Sequence, residues 1–287
     1  MQRQHHLQPV SILLASGFRG WIVSLLGGWL LSIPLFAQET PVAENTELAD
    51  LLAAARQYEI RTTKPDAPLK LREPPVLNFT NPERNQERGS VFVWMQNDRP
   101  AAIGQFFCFD GKDRRTTKHA LHSLAPLPLV AKFDDEVAWA PEQPGIVWKS
   151  FEEAPAVGPN RTNRMLQMRQ LVRRFKVQLI DPKGKATELR LAPRPLFDYS
   201  APKVGVTDGV IFSYVIATDP EAILLVEAFD DAGQTGFRYA FARFHFLRLT
   251  AAEGDRVVWD VEHDPALRGN HFGNPATIKK VYNSYHP

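Results

Sequence analysis

The stretch Ala222-Ile-Leu-Leu-Val-Glu-Ala-Phe229 decides the fold, together with the segment that follows it, Asp230-Asp-Ala-Gly-Gln-Thr-Gly236 and Phe237-Arg-Tyr-Ala-Phe-Ala-Arg-Phe-His-Phe-Leu-Arg-Leu-Thr250. Two apolar runs flank a connection rich in Asp and Gly, and this pattern is typical of a β-hairpin. We therefore predict that the two runs pair as antiparallel strands.

The second run breaks the alternation expected of a strand. Aromatic residues occupy odd positions up to Phe241 and even positions from Phe244, so strict alternation would place large rings on opposite faces. A β-bulge near Ala242 or Arg243 would return the rings to one face. The alternative is a strand that is buried on both faces.

Glu227 is a carboxylate within the otherwise apolar first run. Burying a carboxylate without a partner costs roughly several kcal/mol, unless the group takes up a proton. We expect Glu227 to bond to Arg238 or Arg243 across the hairpin. This pattern indicates a structural ion pair and not a catalytic acid.

Further strands and two helices surround this hairpin. Residues 89–110 predict a second hairpin that turns at residues 96–100, and short strands are expected across residues 111–159. Helical periodicity is sustained only in residues 45–58, capped by Asn45 or Thr46, and in residues 162–175, capped by Thr162. The sequence predicts an α+β domain with a predominantly antiparallel sheet, and with both helices on one face or edge of it. No internal repeat is visible.

The N-terminal segment has the features of an export signal. Residues 1–37 carry Arg3 and Arg19, no acidic residue, an apolar run from Trp21 to Ile33, and a small residue for cleavage at Ala37. The mature protein would then be periplasmic or extracellular. The alternative is an uncleaved membrane anchor, because the apolar stretch reaches the lower limit for a bilayer span.

The rest of the chain divides by composition into three parts. Residues 38–75 predict a leader, the first helix and a proline-rich linker, residues 76–262 the α+β domain, and residues 263–287 a polar C-terminal tail. The single cysteine, Cys108, excludes an intramolecular disulfide, and its phenylalanine neighbours favour a small core residue over a nucleophile. The formal net charge of +2 indicates no particular partner.

Candidate catalytic residues are few. His119 and His122 would share one face of a helix and could bind zinc there, but would point to opposite faces of a strand. Asp134, Asp135 and Glu136 could complete such a site or act as an acid and base pair. The alternative is that all five are solvated polar residues. No metal or cofactor is predicted, and the familiar hydrolase, nucleotide-binding and zinc-protease motifs are absent from the sequence.

A basic face on the second helix is the other candidate site. Arg161, Arg164, Arg169 and Arg173 could contact a polyanionic ligand of the cell envelope. The alternative is that these arginines pair with carboxylates elsewhere in the fold. No aromatic platform is interleaved with them, so nucleic acid is not expected, and membrane contact is expected only through an uncleaved N-terminal segment.

One resemblance can be stated on three segments, residues 188–199, 208–212 and 217–225. Together they resemble uncharacterised exported bacterial proteins over residues 91–259, and the resemblance implies no activity and no residue role. The sequence therefore favours an exported, non-catalytic globular module with a structural or ligand-binding role. The alternative is an extracytoplasmic hydrolase or metal-dependent enzyme that uses His119, His122 and residues 134–136.

Overall fold

The computed structural model describes residues 42–85, 87–112, 114–231 and 233–287. The predicted signal peptide, residues 1–37, lies outside the described residues, as does the beginning of the predicted leader. Within the described part of the chain, no helix is long and apolar enough to span a membrane.

The structure is mostly antiparallel β-sheet, with two α-helices among the described residues, so it is more β-dominated than the predicted balance. The elements of the first half are α1 (Val42–Gln57), β1 (Glu59–Thr63), β2 (Asp66–Pro68), β3 (Lys70–Asn81), β4 (Glu87–Gln96), β5 (Arg99–Asp110), β6 (Arg115–Ser123), β7 (Leu129–Phe133) and β8 (Glu136–Trp139). A short strand β9 (Lys149–Ser150) follows.

The second half has the same order of elements. These are α2 (Arg161–Val172), β10 (Phe175–Ile180), β11 (Ala186–Glu188), β12 (Arg190–Leu191), β13 (Phe197–Ala201), β14 (Val206–Ile216), β15 (Asp219–Asp231), β16 (Gln234–Arg243), β17 (Arg248–Glu253), β18 (Arg256–Val261) and β19 (Tyr282–Tyr285). The two 3₁₀ helices of this half are Pro202–Val204 and Pro265–Leu267.

The strands form two outer sheets and two inner sheets. The outer sheets have the orders β2-β1-β7-β8 and β11-β10-β17-β18. The inner sheets have the orders β3-β4-β5-β6-β19 and β12-β14-β15-β16-β9, and β13 also pairs with β14. The second outer and inner sheets therefore repeat the topology of the first.

The two halves are a structural duplication. Equivalent residues lie 120 positions apart in the sequence, as Gly89 and Gly209 do. Residues 69–139 correspond in this way to residues 189–259. The register shift between Trp94 and Met95 recurs between the equivalent residues Tyr214 and Val215. A second shift, after Ala131, recurs after Ala251. The repeat does not stand out in the sequence, because it is preserved in strand register more than in residue identity.

Three hydrophobic cores hold the layers together. One lies between α1, the first outer sheet and the first inner sheet, and another lies between α2 and the second pair of sheets. The third core joins the two inner sheets through equivalent residues, such as Ile103 and Ile223 or Ala120 and Ala240. Each helix therefore packs within its own half, and the prediction that both cover one face or edge of a single sheet is not met.

A strand exchange also connects the halves. The strand β9 follows the first half in sequence but pairs with β16 of the second, at Tyr239 and Lys149. The strand β19 follows the second half but pairs with β6 of the first, where Tyr285 faces His119. Each inner sheet is thus extended by a strand that follows the other half.

Several predicted elements match the structure. The runs around residues 222–250 pair antiparallel, with Glu227 opposite Arg238. The hairpin of residues 89–110 is present as β4 and β5, with its turn at Asn97 and Asp98. The two predicted helices are the two longest among the described residues, although α2 ends at Val172 and its capping residue is Asn160 instead of Thr162.

Other predicted elements need correction. There is no bulge that reunites the aromatic residues, because β16 ends at Arg243 and the chain crosses to the second outer sheet. Phe241 consequently lies in the core of the second half, whereas Phe244 lies between the inner sheets. The proline-rich residues 61–75, which the sequence predicts to be a linker or an extended edge segment, are not a linker but form β-strands, and β3 lies at the edge of its sheet. The C-terminal tail is also ordered in part, because all four residues of β19 are buried.

Candidate functional site

The duplication creates two related positions where the inner sheets meet. Arg99 at the start of β5 is equivalent to Asp219 at the start of β15, and Phe107 is equivalent to Glu227. In the structure, Arg99 of the first half contacts Glu227 of the second. At the related position, Asp219 and Phe107 line a common cavity. The same architecture therefore carries two different sets of side chains.

At the first position, which we call the Glu227 cluster, Glu227 is fully buried and fully paired. Arg99 donates two hydrogen bonds to its carboxylate, at 2.7 and 2.9 Å. Arg238 donates at 2.8 Å, and the hydroxyl of Tyr199 donates at 2.7 Å. The ring of Trp148 lies 4.9 Å from the guanidinium of Arg99 and 4.8 Å from that of Arg238. Two arginines and a tyrosine therefore supply the carboxylate with a full set of donors.

Of the two partners expected for Glu227, the structure brings Arg238 to it and directs Arg243 elsewhere. The guanidinium of Arg243 donates to the carbonyl oxygens of His245, Leu247 and Glu262, at 2.7, 2.8 and 3.0 Å. Arg99 was not expected from the sequence, because it lies in the turn of a distant hairpin.

At the second position, Glu87, Asp219 and Glu221 form what we call the carboxyl cluster, and each is at least 95% buried. Arg84 serves two of them, with its Nη1 atom 3.1 Å from Asp219 Oδ2 and 2.8 Å from Glu221 Oε1. The latter contact is not aligned as a hydrogen bond, and Oε1 of Glu221 accepts none. One arginine is therefore shared by two of the three carboxyl groups.

Asp219 is the best paired member of the carboxyl cluster. It accepts hydrogen bonds from Gln105 Nε2 at 2.7 Å, Arg84 at 3.1 Å and Asn81 Nδ2 at 3.2 Å. Gln105 reaches across from β5 of the first half, so this carboxylate links the two inner sheets. Glu221, two residues further along β15, has no comparable set of donors.

Burial raises the pKa of every member of the carboxyl cluster. The pKa of Glu87 is raised to about 8 by burial and then by the negative charge of Asp219. Burial raises the pKa of Asp219 to about 6, although Arg84, Asn81 and Gln105 oppose the change. Burial and then the charge of Asp219 raise the pKa of Glu221. The cluster consequently retains protons in the neutral pH range.

The carboxyl cluster lies beside a cavity of about 510 Å³. Lys118, on β6, is buried at its edge and donates hydrogen bonds to the carbonyl oxygens of Leu267 and Arg268, both at 2.9 Å. Burial lowers the pKa of Lys118 to about 8. The lining combines polar and aromatic side chains: Arg84, Asn85, Glu87, Gln105, Phe107, Phe109, Lys118, Asp219, Glu221, Phe244, His245, Phe246, Leu247, Arg268, Tyr282 and Ser284.

The sequence did not reveal this site. Asp219 and Glu221 flank Pro220 just before the predicted strand, which begins at Ala222. The available signal was an acidic pair that β15 carries into the interface between the sheets. Glu87 lies more than one hundred residues away in sequence, so no local pattern relates it to the pair.

His119 and His122 lie on strand β6, where three-residue spacing directs them to different faces. The ring of His119 stacks on Phe106 at 4.1 Å, and its Nδ1 atom lies 2.8 Å from the hydroxyl of Tyr58. His122 is near the carbonyl of Ser123 and lines a separate cavity. Burial lowers the pKa of His119 to about 3 and that of His122 to about 4.

The acidic residues suggested as their partners form a turn. Asp134 and Asp135 have left-handed backbone conformations between the paired residues Phe133 and Glu136, which is the geometry of a tight hairpin. All three acidic residues are exposed, in contrast to the buried histidines. Among the described residues, no group of three or more His, Cys, Asp or Glu side chains could hold a metal ion.

The basic helix face and Cys108 can also be placed. Arg161 pairs with Asp198, and Arg164 donates to Asp208 at 2.6 Å, whereas Arg169 and Arg173 are exposed. Two of the four arginines therefore contact carboxylates of the fold. Cys108 is buried in the core of the first half, and burial raises the pKa of its thiol. This environment disfavours the thiolate that a nucleophile requires.

Comparison with known proteins finds no matching family model, no similar curated protein and no similar solved structure. The resemblance to uncharacterised exported bacterial proteins therefore stays an expectation from the sequence. Inference about function rests on the geometry of this chain alone.

Proposed function

We propose that the protein is an exported, non-catalytic ligand-binding module whose ligand occupies the cavity beside the carboxyl cluster. The observation that carries the proposal is the difference between the two related positions of the duplication. Glu227 is saturated with donors, whereas Glu87, Asp219 and Glu221 are buried beside a cavity with one arginine shared between two of them.

The energetic cost of the carboxyl cluster supports this proposal. Burying an ionisable group without full pairing costs roughly several kcal/mol. The Glu227 cluster demonstrates that the same pair of sheets can satisfy a buried carboxylate completely. Local features that disfavour stability are typical of functional sites, where a ligand supplies the missing interactions.

The size and lining of the cavity are those of a small-molecule site. Such sites commonly have volumes of about 300–1,000 Å³, with apolar walls and a few polar groups that orient the ligand. Here Phe107, Phe109 and Phe246 supply apolar surface, and the carboxyl cluster supplies polar groups. Residues of both inner sheets and of the crossover after β16 line the cavity.

Ligand-observed NMR with a library of small polar and aromatic metabolites tests this function. Leu247→Trp adds bulk at the cavity, and the equivalent substitution in the other half, Leu127→Trp, is the matched control because Leu127 does not line this cavity. We expect binding signals that Leu247→Trp abolishes and Leu127→Trp preserves, with both variants folded by circular dichroism. Absence of any binding compound, or binding unaffected by Leu247→Trp, contradicts the proposal.

The catalytic alternative receives no support from the geometry of its residues. His119 packs against Phe106 and Tyr58, His122 lines another cavity, and residues 134–136 form an exposed turn. A hydrolase or metal-dependent enzyme would need these side chains to converge on a common space.

Export is the second part of the proposal, and the charge, apolar run and Ala37 of residues 1–37 support it. Fractionation of cells that produce the full chain, followed by N-terminal sequencing, tests it. We expect material outside the cytoplasm that begins near Gln38. Membrane-bound material that still begins at Met1 would instead favour the uncleaved anchor.

A further inference from the structure

We infer that the cavity binds an organic cation, with an ammonium or guanidinium group at the carboxyl cluster and an apolar body against the phenyl rings. This inference rests on the proposed function and specifies its ligand class. It follows from the charges, the hydrogen bonds and the aromatic walls of the cavity.

The charges at the floor of the cavity are unbalanced. Three carboxyl groups face two buried or half-buried cations, Arg84 and Lys118, whereas Arg115, whose charge also acts on Glu87, is paired with Glu47 and Asp110. Arg268 also lines the cavity but is exposed to solvent, which screens its charge. The remaining titratable groups of the lining, His245 and Tyr282, are neutral at pH 7, because burial lowers the pKa of His245 and raises the pKa of Tyr282. One additional positive charge would let all three carboxyl groups ionise.

The hydrogen bonds point to a donor-rich ligand. Oε1 of Glu221 is buried and lies 2.8 Å from Nη1 of Arg84, but this ion pair is not aligned as a hydrogen bond and Arg84 also serves Asp219. Glu221 lines the cavity. Lys118 cannot serve it fully, because two of its three N–H groups already bond to Leu267 and Arg268. A protonated amine or guanidinium presents several N–H donors to such an acceptor.

The walls suit the rest of such a ligand. Phe107 and Phe109 project from β5, and Phe244 and Phe246 come from the crossover after β16. Aromatic faces attract organic cations through their quadrupoles and pack against apolar groups. A neutral polar ligand, whose hydroxyl groups can also donate, is the competing outcome of the test.

The experiment compares 2-phenylethylamine with its neutral isostere 2-phenylethanol, by isothermal titration calorimetry on the purified protein. We expect the amine to bind at least about tenfold more tightly than the alcohol at pH 8. Its affinity should fall as the pH is lowered to 5, because the carboxyl groups then take up protons. Titration in two buffers of different ionisation enthalpy should show that the protein releases protons when the amine binds.

Glu221→Gln is the test variant, and Glu262→Gln is its control because the side chain of Glu262 is 79% exposed and does not line the cavity. We expect Glu221→Gln to weaken amine binding by about tenfold and to leave 2-phenylethanol unchanged. The control should leave both affinities unchanged. A thermal melt of each variant establishes that it is folded.

Two results overturn the inference, and they are distinguishable from failure of the proposed function. If the alcohol binds as tightly as the amine and Leu247→Trp abolishes both, the cavity is a binding site for neutral ligands and only the cationic assignment fails. If neither compound binds and the metabolite library also gives no signal that Leu247→Trp removes, both the ligand class and the proposed function fail.

Discussion

The Glu227 cluster and the carboxyl cluster occupy related positions of one duplicated architecture, yet they treat buried charge in opposite ways. In the first, two arginines and a tyrosine surround one carboxylate. In the second, one arginine is shared by two carboxylates, and a third carboxyl group lies nearby. The fold therefore permits complete pairing of a buried carboxylate but does not require it, because the carboxyl cluster is incompletely paired.

A few equivalent positions account for the difference. Arg99 is replaced by Asp219 in the second half, and Ala101 by Glu221. Phe107 is replaced by Glu227, and Lys118 by Arg238. The first three replacements change the charge at an equivalent position and the fourth keeps it, while the strand register is kept. The two ends have consequently become a structural ion-pair cluster and an open polar cavity.

The largest expected effect comes from neutralising one carboxylate at each position. Glu227→Gln leaves Arg99 and Arg238 without their counter-charge, and we expect it to lower the free energy of unfolding by about 3 kcal/mol. Burial raises the pKa of Glu221 and favours its neutral form, so replacing it with neutral Gln should change the free energy of unfolding by less than about 1 kcal/mol.

Urea unfolding at pH 7 measures both values, with Glu262→Gln as the surface control. Equal losses of stability in Glu227→Gln and Glu221→Gln would show that the two clusters are paired equally well. The contrast between them would then have no energetic basis.

A pH dependence distinguishes the clusters next. The pKa of Glu87 is about 8 in the folded protein, above the ordinary value of 4.5, so the folded state binds more protons between these values. The contribution of Glu87 to stability is fully present below pH 4.5 and is lost as the pH rises through 8. We expect Glu87→Gln to gain at least about 1 kcal/mol relative to the original protein between pH 5 and pH 8.

The measurement is the difference in unfolding free energy between the original protein and Glu87→Gln at several pH values. Taking the difference removes the opposite contributions of buried His119 and His122, whose pKa values are lowered. A difference that stays constant from pH 5 to pH 8 would refute the raised pKa of Glu87.

Local sequence patterns predicted the local parts of this fold. The hairpin around residues 222–250 and the two helices follow from apolar periodicity and turn residues that are close together in sequence. The crossover after Arg243 did not follow, because alternation cannot tell a bulge from a change of sheet. The duplication was missed because equivalent positions such as Trp94 and Tyr214 conserve size and burial but not identity.

The candidate site was less predictable for a physical reason. Its carboxyl groups come from β4 and β15, and they meet only because the inner sheets pack face to face. The sequence did predict that Glu227 needs an arginine, because a carboxylate buried in an apolar strand requires a partner of opposite charge. It could not identify Arg99, whose position depends on the relation between the two halves.

The smallest expected effect is the contribution of a single hydroxyl to the Glu227 cluster. Tyr199 donates to Glu227, whereas its equivalent in the first half is Phe79, which has no hydroxyl. Both rings lie over an equivalent glycine, because a Cβ atom at Gly209 would be 2.2 Å from Tyr199 and one at Gly89 would be 2.5 Å from Phe79. The ring therefore has the same packing role in each half, and only the hydroxyl is specific to the paired carboxylate.

Tyr199→Phe isolates that hydroxyl, since it gives the second half the side chain of the first. We expect it to lower the free energy of unfolding by about 1–2 kcal/mol, because a charge-assisted hydrogen bond to a buried carboxylate is lost. In the Glu227→Gln background the same change should cost less than about 0.5 kcal/mol, because the acceptor is no longer charged. A double-mutant cycle measures this coupling, and equal costs in the two backgrounds would show that the tyrosine stabilises the interface by packing alone.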